Sequence, residues 1–473
     1  MKAEDIRPSH LSSYDPQYDP LVAPNPGHGA GYAPTYWVGT AGRPPDDDGP
    51  VCGDMEADVV IVGSGFTGLS TALFLAREHG IRAVVLEANQ TAWGCTSRNG
   101  GQGQNASGRL YRSQWIERWG KDMALKLDAE IREGFDTFKK LVSEFPECEP
   151  QPGGHLYIAH RDRKMEFLRN ETRVMRDVFG YDARVLSVDE VKRNYVDDAD
   201  CRGAMHEPDG IGVHPLKLAF GYLRKARELG VKVHPASPVI GMETRNGMHY
   251  LKTPGGIVKA RAVGFATGGY TSNQLHPQLR SKIMPILSNS LVTRPLTEEE
   301  LDATNFKTTQ VITDTRTLRF YYRKLPDNRV QIGSRSSITG ADAPNPVHMA
   351  KLVEGLHHKF PALKGIQVDY SWWGWVDVSH DMMPRVTQPN PKESIFYAVG
   401  YGGNGVSFSA HAGRRMAQRI AGQTLKEFEL PIYNSQLEYP NAFNMVRSEA
   451  FAPFRRMGQR FLYHWYHFND EKN

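Results

Sequence analysis

Residues 58–87 read DVVIVGSGFTGLSTALFLAREHGIRAVVLE, and this stretch decides the fold. Val59, Val60, Ile61 and Val62 form an apolar run of strand length that enters Gly63-Ser64-Gly65-Phe66-Thr67-Gly68. Leu69, Ala72, Leu73 and Leu75 follow at helical spacing. A second apolar run, Ala83 to Leu86, ends in the acid Glu87. In such a unit Gly63 allows a sharp turn, Gly65 lets backbone approach a pyrophosphate, and Gly68 lets the helix pack close to the sheet. The helix N-terminus offers unpaired N–H groups and the positive end of its dipole. Glu87 follows the first glycine at about the ~20-residue spacing where a carboxylate accepts from a ribose. A lone glycine motif says little, but strand, turn, helix, strand and acid in order specify a dinucleotide-binding unit.

The rest of the chain fits around that unit. Its 473 residues exceed a single typical core, and 40% hydrophobic residues supply the apolar surface for two connected domains. Net charge is only +4, with Lys and Arg dispersed among Asp and Glu, so no nucleic-acid partner is expected. No apolar run reaches the length of a membrane span, and MKAEDIRPSHLSSYDP at the start has no secretory h-region. Cys52, Cys95, Cys148 and Cys201 are far apart in sequence; they read as free thiols in a reducing, cytoplasmic setting, with no metal site.

Residues 1–54 read as an extension whose aromatics, Tyr32, Tyr36 and Trp37, pack on the body. A Trp- and Phe-rich amphipathic helix is expected over about 114–145. Strand-like and charged helical segments occupy 151–212. Nucleotide-type texture returns at Pro215, with a hairpin from Val239 to Val263 that encloses Pro254-Gly-Gly256 and runs into Gly264-Phe-Ala-Thr-Gly-Gly-Tyr270. Residues 286–385 read as antiparallel strands. A last strand, turn and helix unit covers Ile395 to Ala421. The expected architecture is α/β: a discontinuous Rossmann-like domain (55–150, 213–285 and 386–425), an inserted antiparallel-sheet domain (151–212 and 286–385), and a C-terminal helical segment (426–473).

Three segments, PTYWVGTA at 34–41, WGCTSRNGGQ at 93–102 and FYAVGYGGNGV at 396–406, resemble the D-amino-acid-oxidase superfamily of flavoproteins, which includes sarcosine and glycine oxidases. Within it the likeness runs to the gamma-glutamylputrescine oxidoreductases. The resemblance implies FAD. Carried over by residue, Gly63, Gly65, Phe66, Thr67 and Gly68 would bind the pyrophosphate and Glu87 with Ala88 the adenosine ribose. Ser97, Arg98, Asn99, Gly100, Gly101 and Gln102 would line the flavin and phosphate path. Pro238 and Val239 would lie near the adenine, and Thr267 and Gly268 would close on the dinucleotide. Gly402, Gly403, Asn404, Gly405 and Val406 would bring N–H groups to the flavin pyrimidine edge, where a helix N-terminus stabilises the negative charge of the reduced ring.

Two departures bear on chemistry. Sarcosine-type relatives hold the substrate carboxylate partly with a Lys where Ser407 stands here, which argues against a small alpha-amino acid bound in that way. They also use a Lys to activate oxygen where Gln331 stands, which puts rapid reaction with oxygen in doubt. The segment at 372–384 that carries a cysteine attachment in some relatives has no Cys, so FAD is expected to be non-covalent. The implied reaction is oxidation of the C–N bond of an aliphatic or gamma-glutamylated amine, with oxygen or another electron acceptor. The alternatives are a secondary-amine or amino-acid dehydrogenase feeding a quinone or carrier, and a non-catalytic FAD-binding protein. Tyr321, Tyr322, Trp372, Trp373, Trp375 and Tyr401 are candidate pocket walls; His380, Asp381 and Gln331 are candidate catalytic groups.

Overall fold

A computed structural model describes residues 18–280, 282–379, 381–434 and 452–471. Strand Met55–Val62 is the centre of the first sheet, and its Val59–Val62 half is buried on both faces. It pairs in parallel with Val84–Leu86 on one side and with Gly256–Phe265 on the other. Lys232–His234 extends the sheet beyond Val84–Leu86, and Ile395–Val399 joins Gly256–Phe265, also in parallel. Parallel strands covered on both faces need continuous apolar runs, which is why these segments are Val-, Ile- and Phe-rich.

Helix Phe66–His79 lies against helix Gly405–Ile420 at Gly413. A Cβ at Gly413 would stand 2.1 Å from Ser70 Oγ and 2.9 Å from the Thr67 carbonyl. Two helices remote in sequence thereby bring their N-terminal ends to one place.

The hairpin region holds one turn more than expected. Gly241–Arg245 and Met248–Thr253 are joined by Asn246-Gly247, with Arg245 opposite Met248 and both turn residues at positive φ. This is the two-residue connection that Asn-Gly favours. The helix expected over 114–145 is two helices, Arg112–Trp119 and Lys121–Glu144, because Gly120 between them sits at φ +80°.

The second sheet runs in the order Val368–Val378, Met284–Thr293, Val330–Ser334, Tyr321–Lys324, Val311–Asp314, His155–Ile158, Ala204–Glu207, Arg184–Leu186. Its pairings are antiparallel except one: Val311–Asp314 runs parallel to His155–Ile158. That seam joins the two inserted stretches. Strand Met284–Thr293 belongs wholly to this sheet, two residues earlier than the 286 expected. A short third sheet, Gln102–Gln104, Gly210–Gly212 and Gln151–Pro152, had no clear sequence signal.

Two aromatic contacts tie Trp37 to His214 and Trp372. Trp37 is buried and donates through its indole N–H to the Asn99 carbonyl at 2.7 Å. Its neighbour His214 caps helix Pro215–Glu228: Nδ1 accepts from the Lys217 N–H at 3.2 Å, and Nε2 meets Thr40 Oγ1 at 3.0 Å. An accepting Nδ1 requires the neutral imidazole, and burial with nearby Lys217 and Arg323 pushes the His214 pKa down to about 3. The folded-state pKa is depressed, so the unfolded chain binds the extra proton first as pH falls. The contribution of neutral His214 is full above about 6.5 and lost progressively toward about 3. His214→Asn retains a capping oxygen without the titration. Urea unfolding at stepped pH should show its stability falling less steeply between pH 6 and 4 than the parent's, by up to about 1.4 kcal/mol per pH unit.

Candidate functional site

The glycines of the first turn divide into two kinds. Gly63 sits at φ +101°, and a Cβ there would be 2.6 Å from the Ala266 carbonyl. A Cβ on Gly68 would be 1.8 Å from the Gly63 carbonyl. Both are demanded by the fold. At Gly65 a Cβ would meet only Thr96 Oγ1, at 3.1 Å, although this residue lines the central cavity. The protein itself leaves that space, next to the N-terminus of helix Phe66–His79, where the N-cap Gly65 has no side chain and Thr96 Oγ1 accepts from the Phe66 N–H at 3.0 Å. A cradle of this kind fits a pyrophosphate.

Glu87 stands beside it, buried. Its Oε2 accepts from the Ser64 N–H at 2.9 Å and Ser64 Oγ at 2.7 Å, and its Oε1 from the Asn89 N–H at 3.1 Å. Three bonds leave a carboxylate capacity for another hydroxyl, and Glu87 lines the cavity with Ala88, Pro238 and Val239. Glu87→Ala is expected to weaken dinucleotide binding by about 1.5–3 kcal/mol, the worth of a hydrogen bond to a charged group. That is roughly tenfold or more in Kd. It also releases the Ser64 and Asn89 amides, so the apo-protein should melt at lower temperature. A flavin titration with unchanged affinity would remove Glu87 from the ribose contact.

At the far end, the turn 400–405 is built on Asp377. Its carboxylate accepts from the Gly400 N–H, and its backbone carbonyl accepts from the Gly402 N–H at 2.8 Å. Gly403 is at φ +98°, and Asn404 caps the helix by position only: its side-chain amide donates to the Gly108 carbonyl. The N-terminus of helix Gly405–Ile420 therefore opens on the same cavity as that of Phe66–His79. Asp377 is buried, and its pKa is raised by burial against opposing backbone hydrogen bonds. Sequence reasoning had not selected it.

Most of the expected residues meet along this cavity: Gly63, Gly65, Phe66, Thr67, Glu87, Ala88, Arg98, Asn99, Gly100, Gln102, Val239, Thr267, Gly268, Gly402, Gly403, Asn404, Gly405 and Val406, with Tyr321 and Tyr401. Arg98 is stacked over Trp93 at 4.2 Å. Gly68, Ser97 and Gly101 lie behind the wall. Ser97 Oγ donates to the Trp93 carbonyl, and a Cβ at Gly101 would strike the Val213 carbonyl at 2.2 Å. Gln331 is fully buried next to Gly100, and neither of its amide atoms has a hydrogen-bond partner in the protein.

Several expected site residues lie elsewhere. Trp372 is core: its indole donates to the Arg98 carbonyl at 2.7 Å and its ring meets Trp37. Trp375 donates to the Tyr18 carbonyl at 2.9 Å, Trp373 packs in the same cluster, and Tyr322 is buried with its hydroxyl on Asp198. On strand Val368–Val378 the residues that line the cavity are Gly374, Val376 and Asp377. Asp381 is turned to its own loop, accepting from Ser379 Oγ and the Met383 N–H and pairing with Arg385. It does not line the cavity. His380 lies outside the described residues. Ser407 donates to the Gln104 carbonyl.

The larger omission is three arginines. Arg109, Arg319 and Arg335 all line the cavity. Guanidinium nitrogens of Arg109 and Arg335 both approach the Gly402 carbonyl, each at 3.5 Å. Burial pushes the Arg109 pKa well down, and the Arg335 and Arg319 charges push it further; burial and Arg319 likewise depress Arg335. Arg319 is held up by Tyr157, Tyr111 and Asp314 against its burial. Among the described residues no carboxylate forms an ion pair with any of the three. Guanidinium remains charged at ordinary pH, so this end of the cavity carries positive charge that no carboxylate ion pair among the described residues offsets. Replacement of the family's Lys by Ser407 thus does not leave the site short of cations.

Among the described residues one group of ligating side chains comes together, Glu130, Glu133 and His411, and Arg415 already grips Glu130 at 2.7 and 2.8 Å and Glu133 at 2.8 Å.

Comparison with known proteins bears on the same residues. The family model "DAO: FAD dependent oxidoreductase" matches residues 58–419. Gamma-glutamylputrescine oxidoreductase of Escherichia coli K12 is 31% identical, over 78% of this chain and 84% of that protein. The beta subunit of sarcosine oxidase from an Arthrobacter species is 27% identical over 80% of this chain and 91% of its own length. Among solved structures, glycine oxidase from Geobacillus kaustophilus superposes with a TM-score of 0.67 at 19% identity, covering 79% of this chain and 96% of that one.

Proposed function

This chain belongs to the DAO family of FAD-dependent oxidoreductases, which act on amine and amino-acid substrates, and from that premise we propose that it oxidises an amine bearing a carboxylate remote from the reacting carbon, with gamma-glutamylated amines as the leading class. The observation that carries this reading is the arginine cluster at the flavin end of the cavity. A substrate carboxylate there gains charge-assisted, bidentate partners, and the three guanidinium groups lose part of their mutual repulsion. The name of the 31% identical relative supports the glutamyl assignment.

FAD, when bound, supplies the hydride acceptor for the carbon next to a neutral amine nitrogen, and the resulting imine hydrolyses to a carbonyl. The cavity residues fit that group: space at Gly65, the Glu87 carboxylate and two helix N-termini. The protein's part is orientation. The arginines fix the carboxylate, while Tyr321 and Tyr401 wall the reacting end; their hydroxyls are occupied by Ser288 and Ser290 and by Thr67. Non-covalent attachment is part of the proposal. Cys95 lines the cavity, but burial and Asp377 push its thiol pKa up to about 12, so it is no thiolate nucleophile. Gln331, in the place of an oxygen-activating lysine, favours an acceptor other than oxygen. A cytoplasmic setting belongs to the same reading and is supported by four free cysteines; no helix among the described residues is long and apolar enough to cross a membrane.

The test is anaerobic stopped-flow reduction of the flavin by gamma-glutamylputrescine, putrescine, sarcosine and glycine, followed by readmission of air. Gamma-glutamylputrescine is expected to reduce fastest, with slow reoxidation. Reduction fastest by putrescine would remove the carboxylate from the recognition. Reduction fastest by sarcosine or glycine would place it next to the reacting carbon.

A further inference from the structure

Exposed large apolar side chains are scattered singly over most of this protein, as on most surfaces, but six of them sit on one helix. Phe454, Met457, Phe461, Leu462, Trp465 and Phe468, on helix Ala452–Glu471, are between 44% and 71% exposed. All but Leu462 recur at three- and four-residue intervals, which places them on one face about 20 Å long.

The opposite face is polar, and it is the face that docks. Arg456 grips both oxygens of Asp19, at 2.7 and 2.9 Å, and lies over the Trp375 ring. One helix end later, Asp470 accepts from the Thr317 N–H at 2.7 Å and Thr317 Oγ1 at 3.0 Å, and its carbonyl meets His160 Nε2 at 2.8 Å. An ordinary surface helix turns its apolar stripe inward. Here anchors near both ends fix the helix the other way round, so the aromatic face cannot roll into the body.

Charge selects the occupant. From Ala452 to Asn469 the helix carries Arg455, Arg456 and Arg460 and no acidic residue; Arg456 is taken by Asp19, and Arg460 is exposed beside the apolar face. Two copies of this face packed on each other would bring arginines into one interface with no acidic residue between Ala452 and Asn469 to pair them, which is unfavourable. An aromatic and apolar face containing Trp, bordered by Arg460 and by no acidic residue before Asp470, suits the headgroup region of an anionic bilayer.

We infer that helix Ala452–Glu471 is a membrane-surface element that lies on anionic lipid without spanning the bilayer.

The test is flotation of the FAD-loaded protein with vesicles of phosphatidylcholine alone or of phosphatidylcholine mixed with phosphatidylglycerol. The protein should float with the mixed vesicles only, and less in high salt, because the headgroup attraction is screened. F461D/W465D should bind roughly tenfold or more weakly while keeping its flavin spectrum, which reports the fold. Trp465 emission, isolated as the difference from Trp465→Phe, should shift to the blue with mixed vesicles. Failure to float, or equal flotation of the double variant, overturns the proposal. A parent dimer that the double variant converts to monomer also overturns it, by assigning the face to a second copy.

Discussion

Gly65→Val should give a folded, colourless protein that takes up no FAD at concentrations saturating the parent. In the folded chain the new Cβ meets a single side-chain atom, Thr96 Oγ1, so the protein can accommodate it by a small shift. A pyrophosphate at the helix N-terminus cannot, because its oxygens need the space the branched side chain fills. Circular dichroism close to the parent's, with no flavin absorbance after incubation and desalting, is the expected pair of readings. Gly68→Ala separates this from simple unfolding. Its Cβ would collide with the Gly63 carbonyl at 1.8 Å, so that variant should be destabilised with or without FAD. A yellow Gly65→Val protein would show that the dinucleotide does not run over this turn.

Replacing Arg335 by Met should lower kcat/KM for a carboxylate-bearing amine by roughly 10²- to 10³-fold. Truncating one partner of a buried, hydrogen-bonded charge pair costs about 2–5 kcal/mol, and kcat/KM reports that loss. Arg109→Met should behave similarly, since both groups converge on the Gly402 carbonyl. Arg335→Lys should recover only part, because a point charge does not reproduce bidentate geometry. FAD content should be unchanged in all three, and reduction by an uncharged amine should fall far less. An equal fall for charged and uncharged amines would make the arginines structural.

How much of the site was legible in the chain can be judged from these arginines. Arg319 and Arg335 flank the strands Tyr321–Lys324 and Val330–Ser334, whose register sets Tyr321 opposite Gly333. Continuing that register by two residues sets Arg319 opposite Arg335. The convergence was therefore readable once the two strands were taken as a hairpin, but the pattern of dispersed basic residues concealed it. Arg109 offered no such signal, since only the packing of its loop against Gly402 and Met382 brings it in. The tryptophans failed for the reverse reason. Three indoles in four residues suggest a pocket wall, yet indole N–H groups need buried acceptors, and the Arg98 and Tyr18 carbonyls supply them inside the core.

By itself the sequence determined what local sterics and period determine. Asp58 to Glu87 had to be strand, turn and helix because Gly63 takes a positive φ and Gly68 packs on the Gly63 carbonyl, and its apolar run implied a strand covered on both faces. The second glycine turn, at 400–405, was equally local. What only the tertiary structure decided is which side of each element meets the cavity. Gly374 rather than Trp375 faces it, Asp381 faces its own loop, and helix Ala452–Glu471 turns its polar face inward. Such choices depend on partners hundreds of residues away, such as Asp19 for Arg456 and Tyr18 for Trp375. No periodicity along the chain encodes them, because the free energy that fixes them arises only when those distant groups are desolvated together.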